Sequence, residues 1–241
     1  MGERVVETAR EHAAIGVTTV ISRHRPEWIG GLEWQPTLDG ATGPVDVVID
    51  FTLPGGPQVA AEWCRANLAA LVSGTTGLTE PDTDALRAAS ELVPVLWAPN
   101  LSKGLNLCLR TVVEMASQLP AETPVEITDI HHVHKQDSPS GTALFMAQAI
   151  AGARGQDLDA VLRVRDATTA GRGPEGSITC VSLREGEAIG THQVRFRVPG
   201  EEILVRHSAS DRDVYAHGAL EAAAWLVGQD AGLYSVADWL T

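Results

Sequence analysis

Three of the chain's eight histidines fall within four residues, at His131, His132 and His134, and Lys135 follows at once. Lys135 is one of only two lysines, the other being Lys103, in a chain that makes its remaining cations arginine. Lysine differs from arginine in that its surroundings can lower its pKa far enough to release a proton. Histidine already titrates near neutrality. Together they point to proton transfer beside an anion. Just downstream, Asp137-Ser138-Pro139-Ser140-Gly141-Thr142 carries helix-start chemistry ahead of an apolar stretch. The free N–H groups of Gly141, Thr142 and Ala143, with two hydroxyls, make a positive pocket suited to a carboxylate or phosphate. The plain alternative is a structural histidine cluster beside an ordinary capped helix. No metal site is expected, because neither Cys nor Glu sits at ligand spacing around His-His-x-His.

The elements that must position these groups can be read from periodicity. Val125-Glu126-Ile127-Thr128 alternates apolar and polar, the pattern of a strand with one buried face. The histidines and Lys135 then lie at its end and in the loop after it, and residues 143–153 form the helix that follows. Upstream, residues 3–14 place Val5, Val6, Ala9 and Ala13 at helical spacing. Strands are predicted at 17–21, 45–51, 68–73 and 93–97, with helices at 58–67 and 80–91. Strands alternating with helices at this spacing imply a parallel α/β sheet. In such sheets ligands sit at the carboxyl ends of the strands. The turn Gly74-Thr75-Thr76 and the run Ala98-Pro99-Asn100-Leu101 both occupy that position, although a Gly-Thr-Thr-Gly turn alone is weak grounds for a site.

The second half changes character. A helix is predicted at 105–117, and Gly171-Arg172-Gly173-Pro174 marks a loop. Short strands at 178–183, 192–198 and 202–208 suggest an antiparallel sheet. A helix over 215–227 returns to the first domain. The expected organisation is a Rossmann-like domain of residues 1–99 and 210–241, and an α+β domain of residues 100–209.

Composition removes several functions. A net charge of −13 argues against nucleic acid, which requires a basic surface. No apolar run approaches the length of a membrane span. Cys64, Cys108 and Cys180 are odd in number and far apart, which reads as reduced thiols in a cytoplasmic protein.

The central stretch resembles the signature of the 4-hydroxy-tetrahydrodipicolinate reductase (dihydrodipicolinate reductase) family, roughly E-x-x-E-x-H-H-x-x-K-x-D-x-P-S-G-T-A. The chain supplies Glu126, then Asp129 where Glu is usual, then His131, His132, Lys135, Asp137 and Pro139-Ser140-Gly141-Thr142-Ala143. Residues 48–54, both ligand-end turns, Arg184-Glu185-Gly186 and Ile189-Gly190-Thr191-His192 match the family as well. The resemblance implies an NAD(P)H-dependent reduction of dihydrodipicolinate to tetrahydrodipicolinate in lysine and diaminopimelate biosynthesis. It implies that His131 is the acid/base residue and Lys135 the proton donor. His132, Ser140, Gly141 and Thr142 then bind the dicarboxylate, and Phe51, Gly74, Thr75, Thr76, Ala98, Pro99, Asn100 and Leu101 contact the nicotinamide. Asp129 is expected to orient one histidine, its shorter side chain weakening that contact. The resemblance also implies a substrate domain with an open mixed sheet that builds a homotetramer.

The start of the chain departs from the family. A dinucleotide-binding domain opens with a strand and a glycine-rich turn that meets pyrophosphate. Met1-Gly2 resembles only the last two residues of that motif. A missing first strand is expected to leave a gap between the strands at 17–21 and 45–51. Either the natural start lies upstream of Met1, or the chain is a truncated, non-catalytic relative that binds a dicarboxylate or assembles with other subunits. After the strand at 17–21, Arg23 and Arg25 stand where an NAD site usually offers an acid, which favours the 2′-phosphate of NADPH, with NADH as the alternative. A solvated basic loop is the plain reading of the same residues. A semialdehyde-type dehydrogenase is disfavoured because no cysteine sits in a nucleophile context.

Overall fold

The computed structural model describes all residues except 13, 167–172 and 241. In chain order the elements are α1 (Gly2–Ala9), β1 (Thr19–Ile21), β2 (Glu33–Gln35), β3 (Val47–Asp50), α2 (Gly56–Asn67), β4 (Ala70–Ser73), α3 (Glu80–Ser90) and β5 (Pro94–Trp97). Then come α4 (Lys103–Gln118), β6 (Val125–His131), α5 (Gly141–Ala153), α6 (Leu158–Val161), β7 (Leu162–Asp166), β8 (Ile178–Arg184), β9 (Gly190–Val198) and β10 (Glu201–Ala209). The chain closes with α7 (Asp213–Leu226), β11 (Gly232–Tyr234) and α8 (Val236–Trp239). These elements form two compact units, residues 1–103 with 213–241, and residues 104–212.

The first unit contains a four-stranded sheet in the order β11-β5-β4-β3, with every pairing parallel. β4 is buried at every position, as a strand covered on both faces must be. Cys64 of α2 and Leu86 of α3 pack with Leu71 and Val95 on one face, and Ala219, Ala223 and Leu226 of α7 pack with Val72 and Leu96 on the other. Gly218 lets α7 approach closely, since a Cβ there would lie 1.8 Å from the Leu101 carbonyl oxygen. The predicted first helix is shorter than its pattern suggested. It ends at Ala9, beyond which Arg10 and Glu11 are exposed, and Ala13 lies outside the described residues. Beyond Ile21 the chain forms β2, which pairs with β1 in a separate two-stranded parallel sheet. β3 is the edge of the larger sheet, and no strand of the described residues joins it to β1.

The second unit is built on a mixed sheet in the order β10-β9-β6-β8-β7. The β9–β10 hairpin is antiparallel as expected, but β8 does not join it. β6 inserts between β8 and β9, pairing parallel with the first and antiparallel with the second, and β7 also lies parallel to β8. The antiparallel sheet suggested by spacing is therefore corrected, and the sheet is mixed, as the family resemblance implied. Spacing reports the order of strands in the chain, and the insertion of an earlier strand leaves no mark on it. Of the predicted loop at 171–174, Gly171 and Arg172 lie outside the described residues.

Register sorts one face of this sheet into layers. Ile178, Val125, Phe196 and Ile203 are mutual partners across four strands, and Cys180, Ile127, Val194 and Val205 form the next row. These two rows pack with Leu105 and Val112 of α4 and Met146 and Ile150 of α5 in one core. Each large apolar side chain buried there contributes about 1.5–3 kcal/mol. The third row, in the same register, is Ser182, Asp129, His192 and His207. A row of polar side chains on the core face is the structural feature on which the site rests.

Candidate active site

Asp129 is the centre of that row, and its side chain is fully buried. A buried carboxylate needs a partner at each lone pair or it gives up its charge. One oxygen, Oδ2, accepts hydrogen bonds from the Ser140 backbone N–H at 3.2 Å and from Ser182 Oγ at 2.9 Å, with Arg184 Nη1 at 3.6 Å. The other, Oδ1, stands 2.7 Å from His131 Nδ1 and 3.8 Å from His192 Nε2. Burial alone would raise the Asp129 pKa. The His131 contact, the Ser140 and Ser182 hydrogen bonds and the His131 charge outweigh it, holding the carboxyl well below the usual range. Burial first, then the neighbouring His131, lowers His192 to about 4, and His207 is lowered by burial too.

Asp129 and His131 are two apart in β6 and so share its buried face. The shorter aspartate still reaches the histidine, its Oδ1 standing 2.7 Å from Nδ1. Neighbouring positions on one strand face are close enough for the shorter carboxylate to reach. Nδ1 of His131 is turned to Asp129, which leaves Nε2 on the far side of the ring. Gly190 faces that atom, and a Cβ there would lie 3.3 Å from it.

Lys135 sits in the loop after β6, its Nζ 2.8 Å from Asp137 Oδ1. Burial would raise the Asp137 carboxyl, but the hydrogen bond and charge of Lys135 hold it lower. Arg184 at the end of β8 fixes this loop. It donates through Nε to the Lys135 carbonyl at 3.1 Å and through Nη2 to the Asp137 carbonyl. The Glu185 N–H to His131 carbonyl bond (2.8 Å) and the Val133 N–H to Gly186 carbonyl bond (3.1 Å) add to the attachment. His132 is half-buried and His134 exposed, their ring centroids 6.2 Å apart.

The start of α5 is more committed than its sequence indicated. Ser140 is the N-cap, its hydroxyl accepting from the Ala143 N–H at 3.1 Å, while its own N–H goes to Asp129. Of the three N–H groups expected to face a ligand, Ala143's is thus already taken. Gly141 is exposed and Thr142 half-buried, and theirs remain on the open first turn. Ser140 links the helix to the carboxylate row.

In the first unit, the carboxyl ends of β3, β4 and β5 lie side by side. The Asp50 carboxylate accepts from Ser73 Oγ at 2.7 Å, Thr75 Oγ1 at 2.9 Å and the Thr52 N–H at 2.9 Å. Trp97 Nε1 donates to the Thr75 carbonyl at 3.0 Å, and the Ala98 N–H to the Ser73 carbonyl at 3.0 Å. Gly74 lies against the Phe51 ring, where a Cβ would come within 2.4 Å of Cε1. Phe51, Gly74, Thr75 and Ala98 are therefore gathered, with exposed Thr76 and half-buried Pro99 and Asn100 beside them and Leu101 buried. Small residues and backbone groups thus meet at adjoining strand ends, where parallel sheets of this kind take their ligands. Arg23 and Arg25 follow β1 and are exposed.

Burial drives the Cys64 and Cys180 thiols up to about 12, aided by Asp50 and Asp129 respectively, which removes them as nucleophiles. Ser182, Arg184 and His192 are the site residues that motif reading left without roles. Their signal is register: each shares the core face of its strand, which becomes visible only when the pairing with β6 is known.

Comparison with known proteins gives a consistent result. The family model described as dihydrodipicolinate reductase, N-terminus, matches residues 1–101, and that described as dihydrodipicolinate reductase, C-terminus, matches residues 104–240. A protein of Psychrobacter arcticus named 4-hydroxy-tetrahydrodipicolinate reductase is 36% identical over 253 residues, spanning 100% of this chain and 91% of its own. One of the same name from Pseudomonas fluorescens is 38% identical over 254 residues, spanning 100% and 94%. The solved dipicolinate-bound dihydrodipicolinate reductase of a Paenisporosarcina species superposes with a TM-score of 0.77 at 22% identity, covering 97% of this chain and 92% of that one. An amine dehydrogenase from Mycobacterium smegmatis shares the fold at a TM-score of 0.61 and 8% identity, covering 97% and 91%.

Proposed function

The chain belongs to the dihydrodipicolinate reductase family, and on that premise we propose how its residues divide the work. The enzyme is an oxidoreductase that uses a nicotinamide cofactor to reduce 4-hydroxy-tetrahydrodipicolinate (dihydrodipicolinate) to tetrahydrodipicolinate in lysine and diaminopimelate biosynthesis. No observation favours the truncated, non-catalytic alternative.

The substrate is a cyclic imine carrying two carboxylates, so the protein must bind a dianion and deliver one proton. When bound, the reduced nicotinamide supplies the hydride. Gly141 and Thr142 grip one carboxylate through the first turn of α5, where the helix dipole and free N–H groups favour an anion. His132 contacts the substrate beside them. Lys135, held toward the loop by Asp137, pairs with the dianion and gives the proton, a cation serving both binding and transfer. His131 works through Nε2 as acid/base, its ring held by Asp129 much as a buried aspartate fixes the tautomer in a hydrolytic triad. Ser140 acts from behind, as cap and as donor to Asp129.

Phe51, Gly74, Thr75, Thr76, Ala98, Pro99, Asn100 and Leu101 receive the nicotinamide end of the cofactor. Arg23 and Arg25 take the 2′-phosphate of NADPH, with NADH a second donor. Residues 1–99 with 210–241 serve as the cofactor domain and 100–209 as the substrate and assembly domain, the latter building a homotetramer as the family resemblance suggests. A cytoplasmic location accords with free Cys64, Cys108 and Cys180. Among the described residues no helix is long and apolar enough to cross a membrane.

The observation that carries this reading is the arrangement within one unit of an ionised Asp129 against His131, with the Lys135–Asp137 pair in the adjoining loop. The test is direct: the purified chain receives NADPH or NADH with freshly generated dihydrodipicolinate, and cofactor absorbance is followed. Substrate-dependent oxidation with tetrahydrodipicolinate as product is expected. A stable cofactor signal with an intact fold would overturn the reading.

A further inference from the structure

The mechanism engages the Asp129–His131 pair but gives His192 no task. The His192 side chain is only 3% exposed, and neither ring nitrogen has a hydrogen-bond partner among the described residues. A buried imidazole left in that condition calls for an explanation. Its Nε2 is directed at Asp129 Oδ1 from 3.8 Å, too far for a hydrogen bond. That same oxygen is 2.7 Å from His131 Nδ1, yet the pair does not meet hydrogen-bond alignment. One carboxylate oxygen and two imidazole nitrogens thus converge, all within 4.8 Å of one another and all buried.

This is the donor set of a three-ligand zinc-type centre, with a fourth position left for water. Ligands bonded tetrahedrally at about 2.0–2.1 Å stand about 3.3 Å apart, and the separations of 2.7 and 3.8 Å bracket that value. The outer shell is also in place. Asp129 Oδ2 is held by the Ser140 N–H and Ser182 Oγ, which aims Oδ1 at the two rings. Gly190 faces both rings without a side chain, since a Cβ there would lie 3.3 Å from His131 Nε2 and 3.7 Å from His192 Cε1. The expectation of no metal rested on the spacing of His-His-x-His. The structure supplies His192 from another strand, which spacing cannot reveal.

We propose that Asp129 Oδ1, His131 Nδ1 and His192 Nε2 bind one divalent transition-metal ion of the zinc or cobalt type. The ion takes the Nδ1 lone pair of the neutral His131 imidazole, whose single ring proton then sits on Nε2. Resting on the acid/base reading of His131, occupation of the site inhibits turnover, because the ring is then engaged as a metal ligand.

The experiment titrates the full chain, cleared of metal by chelator, first with Co2+ and then with Zn2+. One equivalent of Co2+ is expected to give visible absorption typical of a low-coordinate nitrogen and oxygen site, displaced by one equivalent of Zn2+. Turnover should fall at least ten-fold as that equivalent binds and return on chelation. His192→Gln should lose the cobalt spectrum and weaken zinc binding at least ten-fold. Asp129→Asn should do the same, covering the case in which His192→Gln does not fold. His134→Asn, a control for the exposed His132–His134 pair, should retain both signals. Absent cobalt binding, or binding unchanged in His192→Gln and Asp129→Asn, would overturn the proposal. Site-specific binding with undiminished turnover would uphold the metal site and overturn the role given to His131.

Discussion

Asp50 at the end of β3 and Asp129 in β6 are both buried strand aspartates, and each collects hydroxyl and backbone donors. Among the described residues Asp50 is met by neutral hydrogen-bond donors alone: the Ser73 and Thr75 hydroxyls and the Thr52 N–H. Those bonds use the carboxylate to tie two neighbouring strand ends and so hold the turn at Gly74 and Thr75. Asp129 spends one oxygen in the same way, on Ser140 and Ser182, and turns the other toward two imidazoles. The contrast separates shape from chemistry. A carboxylate saturated by neutral donors fixes geometry, whereas one facing titratable groups also governs where a proton can reside.

The largest expected effect removes the proton donor outright. Lys135→Ala should lower kcat by about 10²–10⁴-fold, the usual range for a positioned general acid, with thermal melting little changed. Near-normal turnover in a folded variant would leave the second cluster no more chemical than the first.

A direct comparison of the two aspartates comes next. Asp129→Asn should lower kcat on the order of 10²-fold with cofactor KM nearly constant, because the amide no longer fixes the His131 proton. Asp50→Asn should instead raise cofactor KM about 10-fold and leave kcat within about 3-fold, because only the shape of a binding turn is disturbed. Steady-state kinetics on both variants reads the split. An Asp50→Asn defect confined to kcat would erase the distinction.

How much of this was legible follows the same division. The strand and helix alternation of the first unit was read from burial patterns, since β4 and β5 must be apolar wherever helices cover both faces. His131, Lys135, Gly141 and Thr142 stand out as candidates in the sequence because they crowd into a dozen residues. Ser182 and His192 do not, as they reach Asp129 only through cross-strand register. Short strands at the margins, β2 and β11 among them, carry three residues each, too few for a period to show. Ser140 shows a related ambiguity: a serine before a helix reads equally as a ligand or as a cap, and here the hydroxyl accepts from the Ala143 N–H.

The cofactor reading can be sharpened at the phosphate. Replacing Arg23 and Arg25 together with Ala should raise the KM for NADPH by about 10-fold and leave that for NADH within about 2-fold, since a charge-assisted contact to one phosphate is lost. Equal weakening of both cofactors would make the two arginines a solvated loop and nothing more.

The smallest effect concerns a third buried carboxylate, Asp82, which belongs wholly to the class of Asp50. It accepts from the Gly55 and Gln58 N–H groups at 3.0 and 3.1 Å, and from Thr79 N–H and Oγ1 at 2.9 and 2.7 Å. It therefore completes the capping box of α3 and also caps α2, whose own N-cap is a glycine. Burial would raise its pKa, but the Thr79, Gly55 and Gln58 hydrogen bonds together hold it below the usual value. A depressed folded pKa means that the unfolded chain binds the proton first as pH falls. The stabilisation is therefore complete above the unfolded value of about 3.9, and is lost as pH drops through the folded value beneath it. Asp82→Asn should cost about 1–2 kcal/mol at neutral pH. Its deficit should be constant down to about pH 5 and shrink below about pH 4 as the wild-type carboxylate protonates. Urea unfolding of both proteins across that range measures it, and turnover per folded molecule should stay unchanged throughout. A deficit that instead grew on acidification would show that Asp82 is held by something other than these neutral donors.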